Sequence, residues 1–442
     1  MVKYPCKLLF RCVINYFNQL VDLMNDAILG IQFLEEKAMI NKLFVAFIVF
    51  IFTISIVEAQ TPTKWRGPNG NGIYNETDLL KEWPVGGPEI LWHFDGLGEG
   101  HSSPVFANGV IYVSAMTDSV GYIYVLTQDG KLKWKATYGK EFFESYPGAR
   151  TSPVVVGNLL YVYSGQGNLV CMDANDGTIK WTKSSFTDFD GENITWGVTE
   201  TVVVDGDLVY FTPGGKKNNV VALNRFNGEL VWSSTGEGEL SAYCTPLLVE
   251  LPARKLLVTM TAGHIIGLDA ANGKMLWSYP QTNRWSVHAN TPVFYNNGLF
   301  CFSGYGQGGV RLELGADGTS VEKAWFKKEL DSRMGGIVVV DGYLYGSGDK
   351  AREWRCVDWK TGEEKYKSKE LGKGVVIYAD SMLYCYSDRG ELALVEATPE
   401  KFNLISKTKV KLGTAQHWAH PVINNGRLFI RHGDVLIAYK IK

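Results

Sequence analysis

The sequence has no excess of charge of either sign and no cluster of basic residues. Its 44 Lys and Arg residues are balanced by 46 Asp and Glu residues, and the formal net charge is −2. Because nucleic-acid binding is driven mainly by clustered Lys and Arg, we expect no nucleic-acid partner. Aromatic residues make up 13% of the chain, which is typical of a protein rich in β-strands.

Long apolar runs are also scarce, and the one that stands out lies near the N-terminus. The run "LFVAFIVFIFTISI" (43–56) follows Lys42 and precedes Ala59. Its 14 residues are fewer than the roughly 18 to 20 that cross a bilayer core. A basic start, an apolar middle and a small residue at the end are typical of a secretory signal. We therefore predict a signal peptide at 39–59, cleaved after Ala59, and a secreted or periplasmic protein without a stable membrane anchor. Residues 1–38 are interpreted as an over-extended gene start or a short leader.

Cysteine is infrequent as well. Five cysteines follow the predicted cleavage site, and no two of them are close in sequence: Cys171, Cys244, Cys301, Cys356 and Cys385. A structural zinc site needs Cys or His pairs at short spacing, and a disulfide framework needs many cysteines in a short chain. Neither is indicated, so we expect these cysteines to be small buried residues in strands.

What the sequence does contain is an internal repeat. The segment "DGKLKW" (129–134) returns as "DGTIKW" (176–181), "NGELVW" (227–232) and "NGKMLW" (272–277). An aromatic residue recurs at this position every 41 to 51 residues, at Trp92, Trp134, Trp181, Trp232, Trp277, Trp325 and Tyr366. A unit of roughly 40 to 50 residues is the length of a four-stranded propeller blade. We predict that these aromatic side chains pack one blade onto the next.

A second repeated pattern is a hairpin, and it occurs eight times. It runs from "SPVFANGVIYVS" (103–114) to "HPVINNGRLFIRH" (420–432). Asn-Gly and Asp-Gly pairs favour tight hairpin turns, because both central residues need positive φ. The first Trp strand precedes the first hairpin, and the last hairpin has no Trp strand after it. We therefore predict that residues 90–94 complete the final blade and close the ring, because closure removes exposed sheet edges.

The fold predicted from these patterns is all-β. It is an eight-bladed β-propeller of four-stranded antiparallel blades, closed by pairing an N-terminal strand with the C-terminal blade. The propeller is expected at 89–442, and an N-terminal segment at 60–88 is expected to pack on it.

Two copies of the repeat resemble a known family. The segments "CMDANDGTIKW" (171–181) and "IGLDAANGKMLW" (266–277) are similar to the tryptophan-docking repeat of quinoprotein dehydrogenases, which also builds BamB-type propellers. The opening segment 64–92 most resembles secreted bacterial PQQ-like propellers.

The resemblance covers about residues 64–442, and it implies PQQ with Ca²⁺ as a possible cofactor. In the dehydrogenases a carboxylate and an amide hold the Ca²⁺, an Asp acts as base, and an adjacent cysteine pair is often present. This chain has no adjacent cysteine pair, and none of its residues can be matched to the other roles.

A candidate site follows from the segments that lead into the first strand of each blade, because these strands line the central channel. These segments are otherwise made of Gly, Ser and Thr, but they contain ten larger residues: His101, Arg150, Trp196, Glu200, Tyr243, His288, Arg333, Lys373, Trp418 and His420. One interpretation is that they cap the channel by hydrogen bonding. The other is a channel mouth that binds a polar or anionic ring ligand, with Arg and Lys meeting carboxylates and aromatic rings stacking on the ligand.

Catalytic templates receive little support, so the sequence identifies no catalytic residue, and we predict no metal ligand. Glu200 is the only acid expected at the mouth, whereas glycoside cleavage needs a pair. A metal bound by His101, His288 and His420 would require three blades to bring these side chains together. The favoured function is a monomeric binding or scaffold module for an envelope protein or a small polar or anionic ligand. The alternative is a PQQ-dependent alcohol or sugar dehydrogenase.

Overall fold

The computed structural model describes residues 61–442, which form thirty-three strands. No helix capable of spanning a membrane is found in this part of the chain. The predicted leader (1–38) and signal peptide (39–59) lie outside the described residues. Two strands precede the first complete blade: β1 (Ile73–Tyr74) and β2 (Ile90–Phe94).

The first four blades follow one another along the chain, each as an antiparallel sheet numbered from the channel outwards. Blade 1 contains β3 (Val105–Ala107), β4 (Val110–Thr117), β5 (Val120–Leu126) and β6 (Leu132–Lys140). Blade 2 contains β7 (Val154–Val156), β8 (Leu159–Tyr163), β9 (Asn168–Asp173) and β10 (Ile179–Ser184). Blade 3 contains β11 (Val203–Asp205), β12 (Leu208–Phe211), β13 (Val220–Asn224) and β14 (Leu230–Ser234). Blade 4 contains β15 (Leu247–Glu250), β16 (Lys255–Met260), β17 (His264–Asp269) and β18 (Met275–Pro280).

The second half of the ring repeats this order. Blade 5 contains β19 (Val293–Tyr295), β20 (Gly298–Ser303), β21 (Gly308–Leu314) and β22 (Val321–Lys327). Blade 6 contains β23 (Val338–Val340), β24 (Tyr343–Ser347), β25 (Trp354–Asp358) and β26 (Glu364–Ser368). Blade 7 contains β27 (Gly374–Ala379), β28 (Met382–Ser387), β29 (Glu391–Glu396) and β30 (Leu404–Lys409). Blade 8 contains β31 (Val422–Asn424), β32 (Arg427–His432) and β33 (Val435–Lys440).

Blade 8 is completed by β2. This strand pairs antiparallel with β33, with Ile90 opposite Tyr439 and Phe94 opposite Leu436. The prediction that residues 90–94 close the ring is therefore confirmed, as are the eight blades. Closure in this way pairs the last blade with the start of the propeller and leaves no blade with a missing outer strand.

The hairpins have the turn geometry expected from their Asn-Gly pairs. Between β3 and β4, Asn108 and Gly109 have φ angles of 51° and 72°, and Ala107 pairs with Val110 across the turn. Positive φ at both central residues is the mark of a type I′ turn, whose twist matches that of the flanking strands.

The repeated tryptophans connect the blades that carry them to the next blade around the ring. The indole Nε1 of Trp181 in blade 2 donates a hydrogen bond to the carbonyl oxygen of Arg225 in blade 3, at 3.1 Å. The other tryptophan Nε1 groups that bond in this way are those of Trp92, Trp232, Trp277 and Trp325. Trp134 instead packs against Gly177, and Tyr366 packs on Phe402 with ring centroids 6.2 Å apart. The ring of Trp181 also lies over Gly228, where a Cβ atom would come within 2.9 Å of the indole.

The surroundings of the cysteines indicate a structural role. All five are buried and unpaired. Four of them lie in strands, and Cys244 precedes β15. Burial raises the pKa of the Cys244 thiol to about 12, so it is a neutral thiol at physiological pH.

The segment before β2 enters the central channel. Thr63 exchanges two hydrogen bonds with Val155 of the innermost strand β7: its backbone N–H donates to the carbonyl oxygen at 2.9 Å, and its hydroxyl accepts from the N–H at 2.8 Å. Strand β1 then pairs in parallel with the C-terminal end of β27, with Ile73 beside Tyr378. The N-terminal segment therefore contacts the inner strands of blades 2 and 7.

Candidate functional site

One cavity of about 310 Å³ lies at the end of the channel where the chain enters the inner strands. Eight of the ten predicted mouth residues line it: His101, Arg150, Trp196, Tyr243, Arg333, Lys373, Trp418 and His420. Arg150 precedes blade 2 and Arg333 precedes blade 6. These blades are four apart in a ring of eight, so the two arginines approach the cavity from opposite sides.

Side-chain alternation before the inner strands decides which residues reach the cavity. In five blades a proline precedes the inner strand, and the residue three positions before it lines the cavity: His101, Arg150, Tyr243, Ala289 and Trp418. The next residue points into its own blade. The Thr151 hydroxyl, for example, donates to the carbonyl oxygen of Tyr163 at 2.7 Å. Because side chains of extended backbone alternate in direction, a shift of one residue removes a side chain from the site.

Glu200 is placed away from the cavity for this reason. It lies two positions before Val202, which takes the place of the proline, and Thr199 occupies the lining position instead. The Glu200 carboxyl accepts a hydrogen bond from the backbone N–H of Thr212. Only 2% of Glu200 is exposed, and burial raises its pKa well above the ordinary value. The raised pKa favours the neutral carboxylic acid form of Glu200 inside blade 3.

His288 also lies outside the cavity. It is four positions before Pro292, and the lining position is taken by Ala289. Its Nδ1 is 2.7 Å from the Ser303 hydroxyl, and the ring is fully buried. Burial lowers the pKa of His288 to about 4. The cavity therefore does not bring together the three histidines considered as metal ligands, and the described part of the chain contains no cluster of three His, Cys, Asp or Glu that could hold a metal.

Several lining residues were not predicted, some because they lie beside a predicted residue in the same entry segment and others because they come from outside these segments. They are Trp65, Tyr146, Thr199, Thr245, Val287, Ala289, Tyr305, Met334 and Asp388. Trp65 belongs to the N-terminal segment, and its ring packs on His420 with centroids 4.7 Å apart. Since β1 pairs with the far end of β27, Trp65 reaches the cavity from inside the channel and forms its floor.

Three tyrosines around the cavity have an unusual backbone conformation. Tyr146, Tyr243 and Tyr305 line it and have φ angles of 47°, 66° and 61°. Positive φ is rare for bulky residues, and it persists only where the surrounding structure imposes it. Such conformations cluster at functional sites, so this backbone strain supports a functional role for the cavity.

The aromatic walls are tilted against one another. The ring planes of His101 and Trp418 meet at 46° with centroids 4.9 Å apart. Tyr146 packs on Trp418 at 51°, and Trp196 packs on Tyr243 at 45°. The aromatic lining therefore has the form of a cup.

The cations on the blade 6 and 7 side already have carboxylate partners. Arg333 Nε lies 2.9 Å from an Asp349 oxygen. Lys373 contacts the other oxygen of Asp349, and its Nζ is 3.8 Å from Asp388. Asp388 is also 3.2 Å from Arg352. Three cations thus share two carboxylates on this side of the cavity, and both lining cations, Arg333 and Lys373, have a carboxylate partner within 4 Å.

Arg150 differs from these two cations. Its Nη2 donates to the backbone carbonyl oxygens of Ser145 and Tyr146 at 2.8 and 2.7 Å, and its Nε is buried without a partner. The nearby carboxyl of Glu141 accepts hydrogen bonds from the backbone N–H groups of Phe142 and Gly165, and it makes no ion pair with Arg150. Burial lowers the pKa of Arg150. Arg150 is thus a cavity-lining cation held by neutral groups.

The two cavity histidines are neutral hydrogen-bonding groups. His101 is 8% exposed, and neither ring nitrogen has a partner in hydrogen-bonding geometry, although the backbone of Gln416 lies nearby. The Nε2 of His420 donates to the carbonyl oxygen of Met334 at 2.7 Å, which leaves Nδ1 unpartnered. Burial lowers the pKa of both rings to about 3. Unpartnered buried nitrogens are costly, and a ligand in the cavity would supply the missing partners.

The family described as outer membrane protein assembly factor BamB matches residues 86–185 and 121–368. The chain belongs to this family. The predicted relationship to BamB-like and PQQ-like propellers is thereby confirmed.

Individual BamB-like and quinoprotein relatives match only in part. The assembly factor BamB of Moranella endobia is 28% identical over 221 residues, which covers 47% of this chain and 51% of that protein. The quinoprotein alcohol dehydrogenase PedH of Pseudomonas putida is 23% identical over 252 residues, or 54% of this chain and 38% of that enzyme. The chain spans about half, or less, of the length of these curated relatives.

Solved propeller structures agree with the fold. BamB from Moraxella catarrhalis superposes with a TM-score of 0.56 at 15% identity, covering 77% of this chain and 94% of that one. A europium-containing methanol dehydrogenase gives a TM-score of 0.60 at 12% identity, covering 85% and 91%. At such low identity these likenesses show the fold alone.

Proposed function

We propose that this BamB-family propeller is a non-catalytic binding module that holds a small anionic ring-shaped ligand in its central cavity. The observation that carries the proposal is Arg150, a cation without a carboxylate partner on the wall of an aromatic cavity. A charge-assisted hydrogen bond to a ligand carboxylate would use its unpartnered Nε, and such bonds are among the stronger ones in proteins. The aromatic rings would exclude water and contact the ligand ring.

The location that accompanies this function is the bacterial envelope. The predicted signal peptide at 39–59 supports export to the periplasm or the exterior, and the family is named for outer membrane protein assembly. We expect the exported protein to be a monomer. Determination of the mature N-terminus tests the location: a start near Gln60 supports it, and retention of residues before Met39 contradicts it.

The dehydrogenase alternative depends on a Ca²⁺ ion beside the quinone, and the cavity does not suit that ion. A hard cation needs several convergent oxygen ligands. Asp388 is the only carboxylate among the cavity-lining residues, and it is already engaged by Arg352 at 3.2 Å. The arginines and aromatic rings could contact a flat quinone, but the donor set does not fit the quinone with its Ca²⁺. We therefore assign no oxidoreductase step to this chain.

A protein partner at the same face is the second candidate, and exposed aromatic residues around the mouth favour it. Phe143 is 54% exposed and Trp285 is 46% exposed, and Trp285 packs on the cavity residue Trp196 with centroids 5.8 Å apart. Exposed aromatic side chains are common at interfaces. A photo-crosslinking amino acid at position 285, in intact cells, should give a crosslinked envelope protein, whereas the same group at Ile405 on the outer strand β30 should not.

The binding function can be tested by calorimetric titration. The panel consists of PQQ with and without Ca²⁺, a benzene dicarboxylate, and acidic and neutral monosaccharides. Arg150→Gln should weaken any binding that occurs by about 10- to 100-fold, the range for a lost charge-assisted bond. Arg225→Gln is the matched control: Arg150 donates to backbone carbonyls and lies over the Phe142 ring, Arg225 donates to a backbone carbonyl and lies over the Phe226 ring, and Arg225 does not line the cavity. If no anionic member of the panel binds, the proposal is wrong.

A further inference from the structure

The cavity has one lining cation without a carboxylate partner. Arg333 and Lys373 share Asp349, and Lys373 also lies 3.8 Å from Asp388. Arg150 is the remaining lining cation, and it forms no ion pair with any of residues 61–442. A ligand with two or three carboxylates would have to displace the existing ion pairs or face Asp388. A monocarboxylate placed at Arg150 avoids both costs.

The polar groups that remain fit hydroxyl groups. The Thr245 hydroxyl accepts the backbone N–H of Thr201 at 3.1 Å, so its own hydrogen is left to donate. The neutral rings of His101 and His420 have unpartnered nitrogens. A ligand with several hydroxyls can both donate to and accept from such a set.

The shape of the lining favours a ligand with a puckered ring over a ligand with a flat ring. Neighbouring wall rings meet at angles of 46° for His101 with Trp418, 51° for Tyr146 with Trp418 and 55° for Trp65 with His420. A flat ring can stack on one of these surfaces only. A pyranose chair has C–H groups on both faces and around its edge, so it can contact several tilted rings at once.

The volume suits a small ligand of about one such ring. At about 310 Å³ the cavity lies at the lower end of the roughly 300–1,000 Å³ found for small-molecule pockets. A hexuronic acid, with roughly 13 heavy atoms, is a small ligand by that measure. The cavity therefore suits one sugar unit, either free or at the end of a glycan.

From these four observations, and resting on the proposed function, we infer that the ligand is an acidic pyranose sugar of the uronic acid type. Its carboxylate binds Arg150, and its hydroxyls bond to Thr245, His101 and His420. Trp65 and Trp418 pack on its C–H faces. This ligand class is inferred from the cation without a carboxylate partner, the free hydrogen-bonding groups and the tilted rings, and not from the family.

Titration of the full exported chain with D-glucuronate, D-galacturonate, D-glucose and PQQ tests the inference. At least one uronate should bind about 10- to 100-fold more tightly than glucose, the range for one charge-assisted bond. The methyl glycoside of that uronate separates the two sources: equal affinity points to a glycan end, lost affinity points to the free sugar, and either result agrees with an acidic pyranose. Arg150→Gln should reduce the uronate affinity to that of glucose, and Arg225→Gln should not.

The outcomes separate the inference from the proposed function. If PQQ or the benzene dicarboxylate binds in an Arg150-dependent way and the uronates do not, the anion-binding function stands and the sugar inference is overturned. Equal affinity for glucuronate and glucose also overturns it. If no anion binds, both fail. The comparison of sugars on the unmodified protein decides the inference even if Arg150→Gln does not fold, which circular dichroism of the variant will show.

Discussion

The ring of Trp65 packs against His420 with centroids 4.7 Å apart, and this contact joins the N-terminal segment to blade 8 at the floor of the cavity. The segment continues through Arg66, whose Nη2 donates to the carbonyl oxygen of Ile337 in front of β23. A part of the chain outside the repeat is thus built into the site between blades of the ring.

We predict that Trp65 contributes more to ligand binding than to stability. Trp65→Ala should weaken binding of glucuronate, or of whichever panel anion binds, by at least about 10-fold, because the floor of the cavity opens. Its stability cost should be only about 1–2 kcal/mol, because Trp65 is half-buried. Trp83→Ala is the contrast: Trp83 is buried against Tyr384 outside the cavity, so about 3–5 kcal/mol should be lost. Calorimetry and urea denaturation measure the two effects, and unchanged affinity in Trp65→Ala would contradict the role of the floor.

The fold was predictable because each blade encodes its own turn, strand and docking residue locally. The Asn-Gly turns fix the hairpins, and the ring of Trp181 over Gly228 fixes the packing between blades. Closure was predictable because the first Trp strand and the incomplete last blade complement each other. The role of the repeated Gly was missed in part: it supplies positive φ to the turn, and its missing Cβ also leaves room for the indole.

The site was harder to predict, for two physical reasons. Side chains of extended backbone alternate, so a displacement of one residue placed Glu200 and His288 at the mouth, where Thr199 and Ala289 lie instead. Counting three residues back from the hairpin proline would have identified Ala289. The second reason is that Trp65 and Asp388 reach the cavity from an N-terminal segment and a β28–β29 turn, where no repeat marks them.

The buried carboxyl of Glu200 gives a prediction about pH. Burial raises its pKa well above the ordinary value, so its stabilising contribution is full below the unfolded pKa of about 4.3 and is lost as pH rises towards the folded pKa. Glu200→Gln removes the ionisation and keeps an acceptor for the N–H of Thr212. The variant should match the wild type at about pH 3.5, below the unfolded pKa, and exceed its unfolding free energy by about 1–2 kcal/mol at pH 8. Urea denaturation at both pH values measures the unfolding free energies, and Glu322→Gln at an exposed position is the control. An equal difference between Glu200→Gln and the wild type at both pH values would refute the prediction.

The contact between a repeated glycine and the tryptophan of the preceding blade can be tested with a matched pair of glycine substitutions. Gly228 and Gly109 have φ angles of 73° and 72°, but an added Cβ lies 2.9 Å from Trp181 at Gly228 and meets nothing within 4 Å at Gly109. Gly109→Ala should therefore cost only the positive-φ strain of about 1 kcal/mol. Gly228→Ala should cost about 1–3 kcal/mol more, because the indole must move. Thermal unfolding measures both, and equal shifts in Tm would show that the indole contact is not limiting.

The buried histidines predict a loss of stability in acid. Burial lowers the pKa of His288 and His417 to about 4 and of His101 and His420 to about 3. A lowered pKa means that the unfolded chain binds protons first, so stability is present above the unfolded value of about 6.5 and falls as pH drops towards the folded values.

His288 allows this effect to be isolated, because it lies outside the cavity. Each such histidine contributes up to about 1.4 kcal/mol per pH unit to the slope of unfolding free energy against pH. His288→Gln should make the slope between pH 6 and 4.5 shallower by about that amount. Ser303→Ala removes the hydrogen-bond partner of His288 but leaves the imidazole in place, so it should lower stability at pH 7.5 by about 1 kcal/mol without flattening the slope. Denaturation across this pH range distinguishes the two variants, and parallel slopes for His288→Gln and the wild type would show that His288 is not the neutral buried ring that the structure describes.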